Sequence, residues 1–170
     1  KGIGTIADVV INHRKTVSTW VDFPSETYKG VTYQLQSTDI CADDDGGATK
    51  NWAIANNYSL SSNNDTGEGW SGMRDLDHKS DNVQTNVKAY LNMLLNDMGY
   101  TGFRYDMVKG YSGSFTGIYN NYANPTYSVG EYWDGNASTV ISWMNSTKVN
   151  NVIQSAAFDF PFRYTVRDAI

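Results

Sequence analysis

Between residues 80 and 170 the chain alternates helical and strand periods, and this limits the folds open to it more than any other feature. Ser80 or Asp81 caps a helix with Val83, Val87, Tyr90, Leu91, Leu94 and Met98 along one face, stopped by Gly99. The strand GFRYDMV follows, then a helix carrying Phe115, Ile118, Tyr119 and Tyr122 that ends near Asn124-Pro125. The strand YSVGEYW, a short helix over 140–144 and the strand SAAFDFP complete the series, and the spacing of Phe162, Val166 and Ile170 begins another helix. Near the start, TIADVVINH is an almost continuous apolar run of strand length, expected to be a buried parallel strand ending in Asn12 and His13. Such βαβ units build a parallel sheet. Polar groups at the C-terminal ends of the strands suit either a (β/α)8 barrel or an open doubly wound sheet, and order alone does not choose.

Residues 14–79 break the pattern. They are rich in Ser, Asn, Asp and Gly, with one alternating piece at VTYQLQS. Structureless loops beyond ~15 residues are uncommon in compact domains, so an inserted subdomain with a small irregular sheet is expected. The organisation is then a first strand over 1–13, the insertion over 14–79, and further βα units over 80–170; the resemblance given below implies that the first is a barrel strand and the last continue the barrel. A net charge of −5 and the lack of a Lys/Arg cluster argue against nucleic acid as a partner. No apolar run approaches the ~18 residues of a membrane span. The single cysteine, Cys41, excludes an internal disulfide. The chain opens at Lys1 beside a strand and closes inside a helix, which reads as an internal piece of a longer protein.

The strand GFRYDMV carries two opposite charges on one face. Phe103, Tyr105 and Met107 point one way, Arg104 and Asp106 the other. Asp106 and Glu131 lie near the C-terminal ends of consecutive strands. If those strands pair, ~4.8 Å apart, the two carboxyl groups approach to about 5 Å, the spacing of a retaining glycosidase. Arg104 would then hold Asp106 ionised as nucleophile, and Glu131, with its pKa raised beside Tyr132 and Trp133, would be the general acid. The plainer alternative is a structural Arg104–Asp106 ion pair with Glu131 exposed at a strand end.

Asn12, Asp65 and Asp75 are scattered hard oxygen donors of the kind Ca²⁺ takes, although a polar loop with capping aspartates would look the same. The run CADDDGG fails as an EF-hand loop, with Cys41 in first position and Trp52 in twelfth. A lone His13 at a strand end is either a structural hydrogen-bonding group or a ligand contact. His78 reads as a loop or capping residue. Trp52, Tyr58, Trp70, Tyr111 and Trp133 offer flat faces for sugar rings, or for packing. Four Asn-x-Ser/Thr sequons, at Asn57, Asn64, Asn136 and Asn145, are expected by chance in so Asn-rich a chain.

Taken in order, DVVINH, the long insertion, DTGEGW…DLDH, GFRYDMVKG and VGEYW resemble the α-amylase family of glycoside hydrolases, most closely the plant-type enzymes and their bacterial relatives. The resemblance spans nearly the whole chain. It implies a partial (β/α)8 barrel of about four βα units, with Asp106 as nucleophile and Glu131 as acid/base. It also implies that Arg104 supports the nucleophile, that His13 and Lys109 contact substrate and that Trp133 lies in the substrate site. A structural calcium would be held by the side chains of Asn12, Asp65 and Asp75 and the carbonyls of Glu68 and Gly110, clamping the insertion, domain B, onto the barrel. The implied activity is internal cleavage of α-1,4 bonds in starch or maltooligosaccharides with retention. The implied setting is extracellular or periplasmic, and the full-length form monomeric.

Two departures accompany the resemblance. Arg74 stands where the family usually has proline before the aspartate, and the NHD motif bearing a third acidic residue does not occur in these residues. A transglycosylase of the same clan, or a catalytically silent carbohydrate-binding homologue, remains an alternative. Half a barrel leaves unpaired strand edges and inward apolar side chains. The 170 residues alone are therefore expected to be neither stably folded nor catalytic.

Overall fold

The computed structural model describes residues 2–169. In chain order its elements begin with β1 (Ile6–Val9), β2 (His13–Arg14), β3 (Ser25–Tyr28), β4 (Val31–Gln34), α1 (Ala48–Ala55), β5 (Arg74–Asp75) and α2 (Asp81–Asn96). There follow β6 (Gly102–Tyr105), α3 (Gly113–Ala123), β7 (Tyr127–Gly130), α4 (Ala137–Ser146), β8 (Ala156–Ala157) and α5 (Phe160–Asp168). They form two compact units, one comprising the chain up to Val10 and from Leu91 onward, the other Ile11–Tyr90.

The first unit is a parallel sheet in the order β1-β6-β7-β8. A helix follows each of β6, β7 and β8, the βαβ arrangement that the alternating periods predict. Phe103 and Tyr105 are fully buried, and the Tyr105 hydroxyl donates to Asn120 Oδ1 on α3 at 2.8 Å. Asn120 Nδ2 in turn donates to Ser128 Oγ on β7 at 2.8 Å, so one buried amide keys the crossover helix to two strands. Close approach requires small residues here: a Cβ on Gly102 would lie 2.4 Å from the Tyr127 carbonyl oxygen, and one on Gly130 would meet the Trp143 ring. The helix starts are capped by side chains. Ser112 accepts from Ser114 N–H, Asn136 from Ser138 N–H and Asp159 from Phe162 N–H.

Several strands are shorter than expected. β6 ends at Tyr105, and Met107 turns to a left-handed φ of 47°, so Met107 does not continue the alternation. Only Ala156–Ala157 of SAAFDFP pair as a strand. Asp159 caps and Pro161 favours the first helical turn, and α5 therefore starts at Phe160. β1 is not dry on both faces: Ala7 and Val9 are buried on one face while Ile6 and Asp8 are exposed on the other. The short helix expected over 140–144 runs from Ala137 to Ser146.

The second unit contains a β3–β4 hairpin around VTYQ. Lys29 and Gly30 both take positive φ, 50° and 78°, the requirement of a tight two-residue turn. β2 pairs antiparallel with β5, placing His13 beside Asp75 and Arg14 beside Arg74. The insertion is not sheet and loop alone. The segment ATKNWAIA folds as α1, which the sequence reading missed because eight residues hold too few apolar positions to show a period. Ser80 accepts from Asn82 N–H and Val83 N–H, which makes it the N-cap of α2, whose Val83, Val87, Leu91 and Leu94 are buried.

Candidate active site

In the first unit, parallel pairing sets Asp8 beside Arg104. Asp106 follows the end of β6, and its N–H donates to the Val9 carbonyl at 2.9 Å. Glu131 follows the end of β7, with its N–H donating to the Tyr105 carbonyl at 2.9 Å. These backbone bonds hold the two acids at neighbouring strand ends. Arg104 then gathers three carboxylates: Nη1 lies 2.5 Å from Asp106 Oδ1 and 2.8 Å from Asp8 Oδ1, and Nη2 lies 2.7 Å from Glu131 Oε1. Both faces of the question raised by GFRYDMV are resolved. The aromatics pack under the helices, and the charges assemble a carboxylate cluster.

The electrostatics separate the members of this cluster. Burial raises the Glu131 pKa, and a hydrogen bond with Asp106 raises it further. The Arg104 charge and the Met107 N–H, 3.5 Å from Oε2, oppose the rise without cancelling it. Partial burial disfavours the Arg104 charge, but hydrogen bonds to Asp8 and Asp106 and the Glu131 charge outweigh this, so its pKa is raised. The result is a fixed cation beside one carboxyl group biased toward its protonated form. Such a pair can divide acid and nucleophile roles between two residues.

Around the cluster, Lys109 Nζ lies 3.6 Å from Asp134 Oδ2 and 5.5 Å from the Tyr132 ring centroid. Trp133, half exposed, stacks on Phe160 with centroids 4.5 Å apart, and its indole N–H donates to Tyr164 Oη at 2.6 Å. Asp8 is the member of this site that sequence reasoning missed. It sits inside an apolar run, and only the register of β1 against β6, 96 residues away, brings it to Arg104.

In the second unit, Asn12 and Asp75 are buried and adjacent, with Asn12 Nδ2 donating to Asp75 Oδ1 at 3.1 Å. Asp75 Oδ2 accepts from Trp70 N–H at 2.9 Å. Burial raises Asp65 to about 6 and Asp75 to about 7, with the charges of Asp43 and Asp44 adding to the first and those of Asp44 and Asp65 to the second. Asn12 Oδ1 and Asp65 Oδ2 are buried without a hydrogen-bond partner among the described residues. The His13 ring packs 4.2 Å from Trp70, and Asn12 Nδ2 lies 3.3 Å from His13 Nδ1. Glu68 is exposed on the loop before Trp70, and Gly110 belongs to the first unit. Among the described residues no three His, Cys, Asp or Glu side chains converge as a metal cage. His78 lies in the turn that leads into α2, as its sequence context suggests, and is fully buried there. Arg74, in the place of the usual proline, forms a buried ion pair with Asp44 at 2.6 Å.

Fold and site together define an α/β protein of the (β/α)8-barrel kind, of which this chain forms part, with an arginine-bridged carboxylate pair at the ends of adjacent strands. Its sequence and fold relate it to the α-amylases. It is 27% identical over 184 residues to Probable alpha-amylase 2 of Arabidopsis thaliana, covering 99% of this chain and 40% of that protein. It is also 27% identical over 168 residues to the Beta/alpha-amylase of Paenibacillus polymyxa, covering 99% of this chain and 12% of that protein. The structure of an α-amylase from Malbranchea cinnamomea superposes with a TM-score of 0.63 at 19% identity, covering 99% of this chain and 32% of that one. No family model matches the chain.

Proposed function

We propose that the protein hydrolyses internal α-1,4-glucosidic bonds of starch and related glucans with retention of configuration. The observation that carries this reading is the single guanidinium shared by Asp106 and Glu131, at 2.5 and 2.7 Å. Two carboxyl groups held by one guanidinium support a short separation of the retaining kind, ~5–5.5 Å, over the wider spacing of inverting enzymes. The relatives' names supply the substrate class.

In the first step protonated Glu131 gives its proton to the glycosidic oxygen as the C1–O bond breaks, and Asp106 attacks C1 to form a glycosyl ester. In the second, Glu131 takes a proton from water, whose oxygen attacks C1 and releases Asp106. Arg104 stays charged throughout and fixes both carboxyl groups. Lys109 and Trp133 line the approach. A polymer that cannot cross a bilayer suits an extracellular or periplasmic protein, and among the described residues no helix is long and apolar enough to span a membrane.

The second unit fits a hard divalent cation, read here as Ca²⁺. Asn12 and Asp65 each bury an oxygen that has no hydrogen-bond partner among the described residues, and Asp75 lies beside Asn12; these are hard oxygen donors of the kind Ca²⁺ takes. The cation would neutralise carboxylates whose pKa values burial has raised. Its contribution is structural, ordering the loop that carries Asp65.

The test is release of reducing ends from soluble starch by the intact protein and by its Asp106→Asn variant. A loss of about 10⁴-fold or more is expected for a nucleophile. A variant as active as its parent rejects the reading.

A further inference from the structure

β6 leads into a turn that its own sequence resists. Met107, directly after Asp106, takes φ 47° and ψ 43°, the left-handed region in which a Cβ crowds the following carbonyl oxygen. The other non-glycine residues with positive φ among those described fall into two groups. Asp45, Asn57, Asn124, Asn150 and Asn151 have short polar side chains that tolerate it, and Lys29 sits in the β3–β4 hairpin turn that demands it. Met107 belongs to neither.

Its surroundings impose the conformation. On one side the Asp106 N–H is fixed to the Val9 carbonyl at 2.9 Å. On the other Val108 is fully buried, Val108–Gly110 form a single helical turn, and the Gly110 N–H donates to the Met107 carbonyl at 3.0 Å. The chain therefore passes from strand to buried turn within one residue. Strain of this kind persists only where the surrounding structure over-determines it, and it gathers at functional sites.

Glu131 is what the turn serves. Its Oε1 lies 2.7 Å from Arg104 Nη2, and its Oε2 accepts from the Met107 N–H at 3.5 Å. The second contact is long, as hydrogen bonds of catalytic groups often are before substrate binds. A carboxyl group held at both oxygens cannot swing about its last bond. The backbone makes this contact, so the conformation at position 107 carries it and the half-buried thioether does not.

We propose that the left-handed turn at Met107 is a positioning device for Glu131, and that position 107 works only with residues that can hold a positive φ. The effect on rate rests on the function proposed above, whereas the contact can be read without turnover. Burial and then Asp106 raise the Glu131 pKa and the Met107 N–H works against them, so losing the turn raises it further.

The test uses the intact protein, isotope-labelled at the glutamate carboxyl carbons and the methionine amide nitrogens and followed by NMR from pH 4 to 9. In the parent the Met107 amide should titrate together with the Glu131 carboxyl, and Glu131→Gln should abolish that response, which separates it from any response to Asp106. Met107→Gly and Met107→Asn, which accept the left-handed region, should keep the Glu131 pKa and hold kcat within about threefold of the parent. Met107→Ile, whose β-branch opposes that region, should raise the Glu131 pKa, move the basic limb of the activity profile to higher pH and lower kcat about tenfold or more while KM stays within about twofold. A Met107 amide that ignores Glu131 overturns the proposal, as does a Met107→Ile variant with the parent's kcat and Glu131 pKa. Gly and Asn variants as slow as the Ile variant also overturn it, because they assign the effect to the side chain. If Met107→Ile does not fold, the amide titration of the parent decides. Failure of the hydrolytic reading registers separately, as no reducing ends from the parent. A Met107 amide coupled to Glu131 in such an inactive protein upholds the positioning contact and rejects that reading.

Discussion

Replacing Arg104 by Met removes one cation from three carboxylates while keeping a similar stem length. Arg104 makes charge-assisted bonds to Asp106 and Glu131 at 2.5 and 2.7 Å, and a third to Asp8 at 2.8 Å. Hydrogen bonds to charged groups contribute roughly 1.5–3 kcal/mol each. The side chains involved are 22% exposed for Arg104, 25% for Asp106 and 17% for Glu131, so solvent screens part of this and the lower end applies. The two contacts to the proposed catalytic pair then amount to about 3–4 kcal/mol, or an expected fall in kcat of about 10²–10³-fold. The pH profile supplies an independent sign. The Arg104 charge lowers the Glu131 pKa, so its removal raises that pKa. Glu131 must be protonated to act as acid, and the basic limb of the activity profile therefore moves to higher pH in Arg104→Met. Arg104→Lys keeps a charge but cannot span three partners, and recovers only part of the rate. Both quantities come from starch hydrolysis by the intact protein between pH 4 and 9, with circular dichroism to check folding. A kcat within threefold of the parent and an unmoved basic limb would refute the bridging role.

His78 is fully buried, which lowers its pKa from 6.5 to about 4. The folded state therefore resists protonation: the stability is fully present above pH 6.5 and is lost as pH falls toward 4, by about 3 kcal/mol for this group. Denaturant melts of the parent and of His78→Gln at pH 7 and pH 4.5 should show a smaller acid loss in the variant. Breaking the Arg74–Asp44 pair with Arg74→Met strands a fully buried Asp44 and should destabilise the second unit by about 3–5 kcal/mol, read by hydrogen exchange. The double variant with Asp44→Asn should regain most of that loss, and an equally unstable double variant would exclude the ion pair as the cause. Asp65 and Asp75, raised to about 6 and about 7, hold protons that the proposed Ca²⁺ would have to displace. Without the cation their contribution to stability is present at low pH and lost as pH rises through 6–7. With Ca²⁺, affinity should fall as pH drops from 7 to 6, binding should release protons in calorimetry, and Asn12→Ala should weaken it.

The parts of this fold that are legible in the sequence are those governed by local periods. The helix after Ser80 shows itself because an apolar repeat, a capping hydroxyl and a stopping glycine fall within twenty residues, and the structure places α2 over Asp81–Asn96. The strands around Arg104 and Val129 are visible from β-branched and aromatic content and from the helices between them. The carboxylates at the following turns could be nominated because strand ends are where a parallel sheet presents functional groups. α1 could not, since its pattern is too short, nor could the early start of α5, which a cap and a proline decide against a competing strand reading.

The sequence by itself determined a parallel α/β protein with a polar insertion and a carboxylate pair, because side-chain direction repeats every two or 3.6 residues and needs no partner to be read. Only the tertiary structure decided that Asp8 joins Arg104, that Arg74 meets Asp44 across 30 residues, and that Trp20, Trp52 and Tyr58 form a column. Each of these depends on strand register or on packing between distant segments. That information lies in the free energy of the whole chain, where burying one charge is tolerated only if another arrives to meet it.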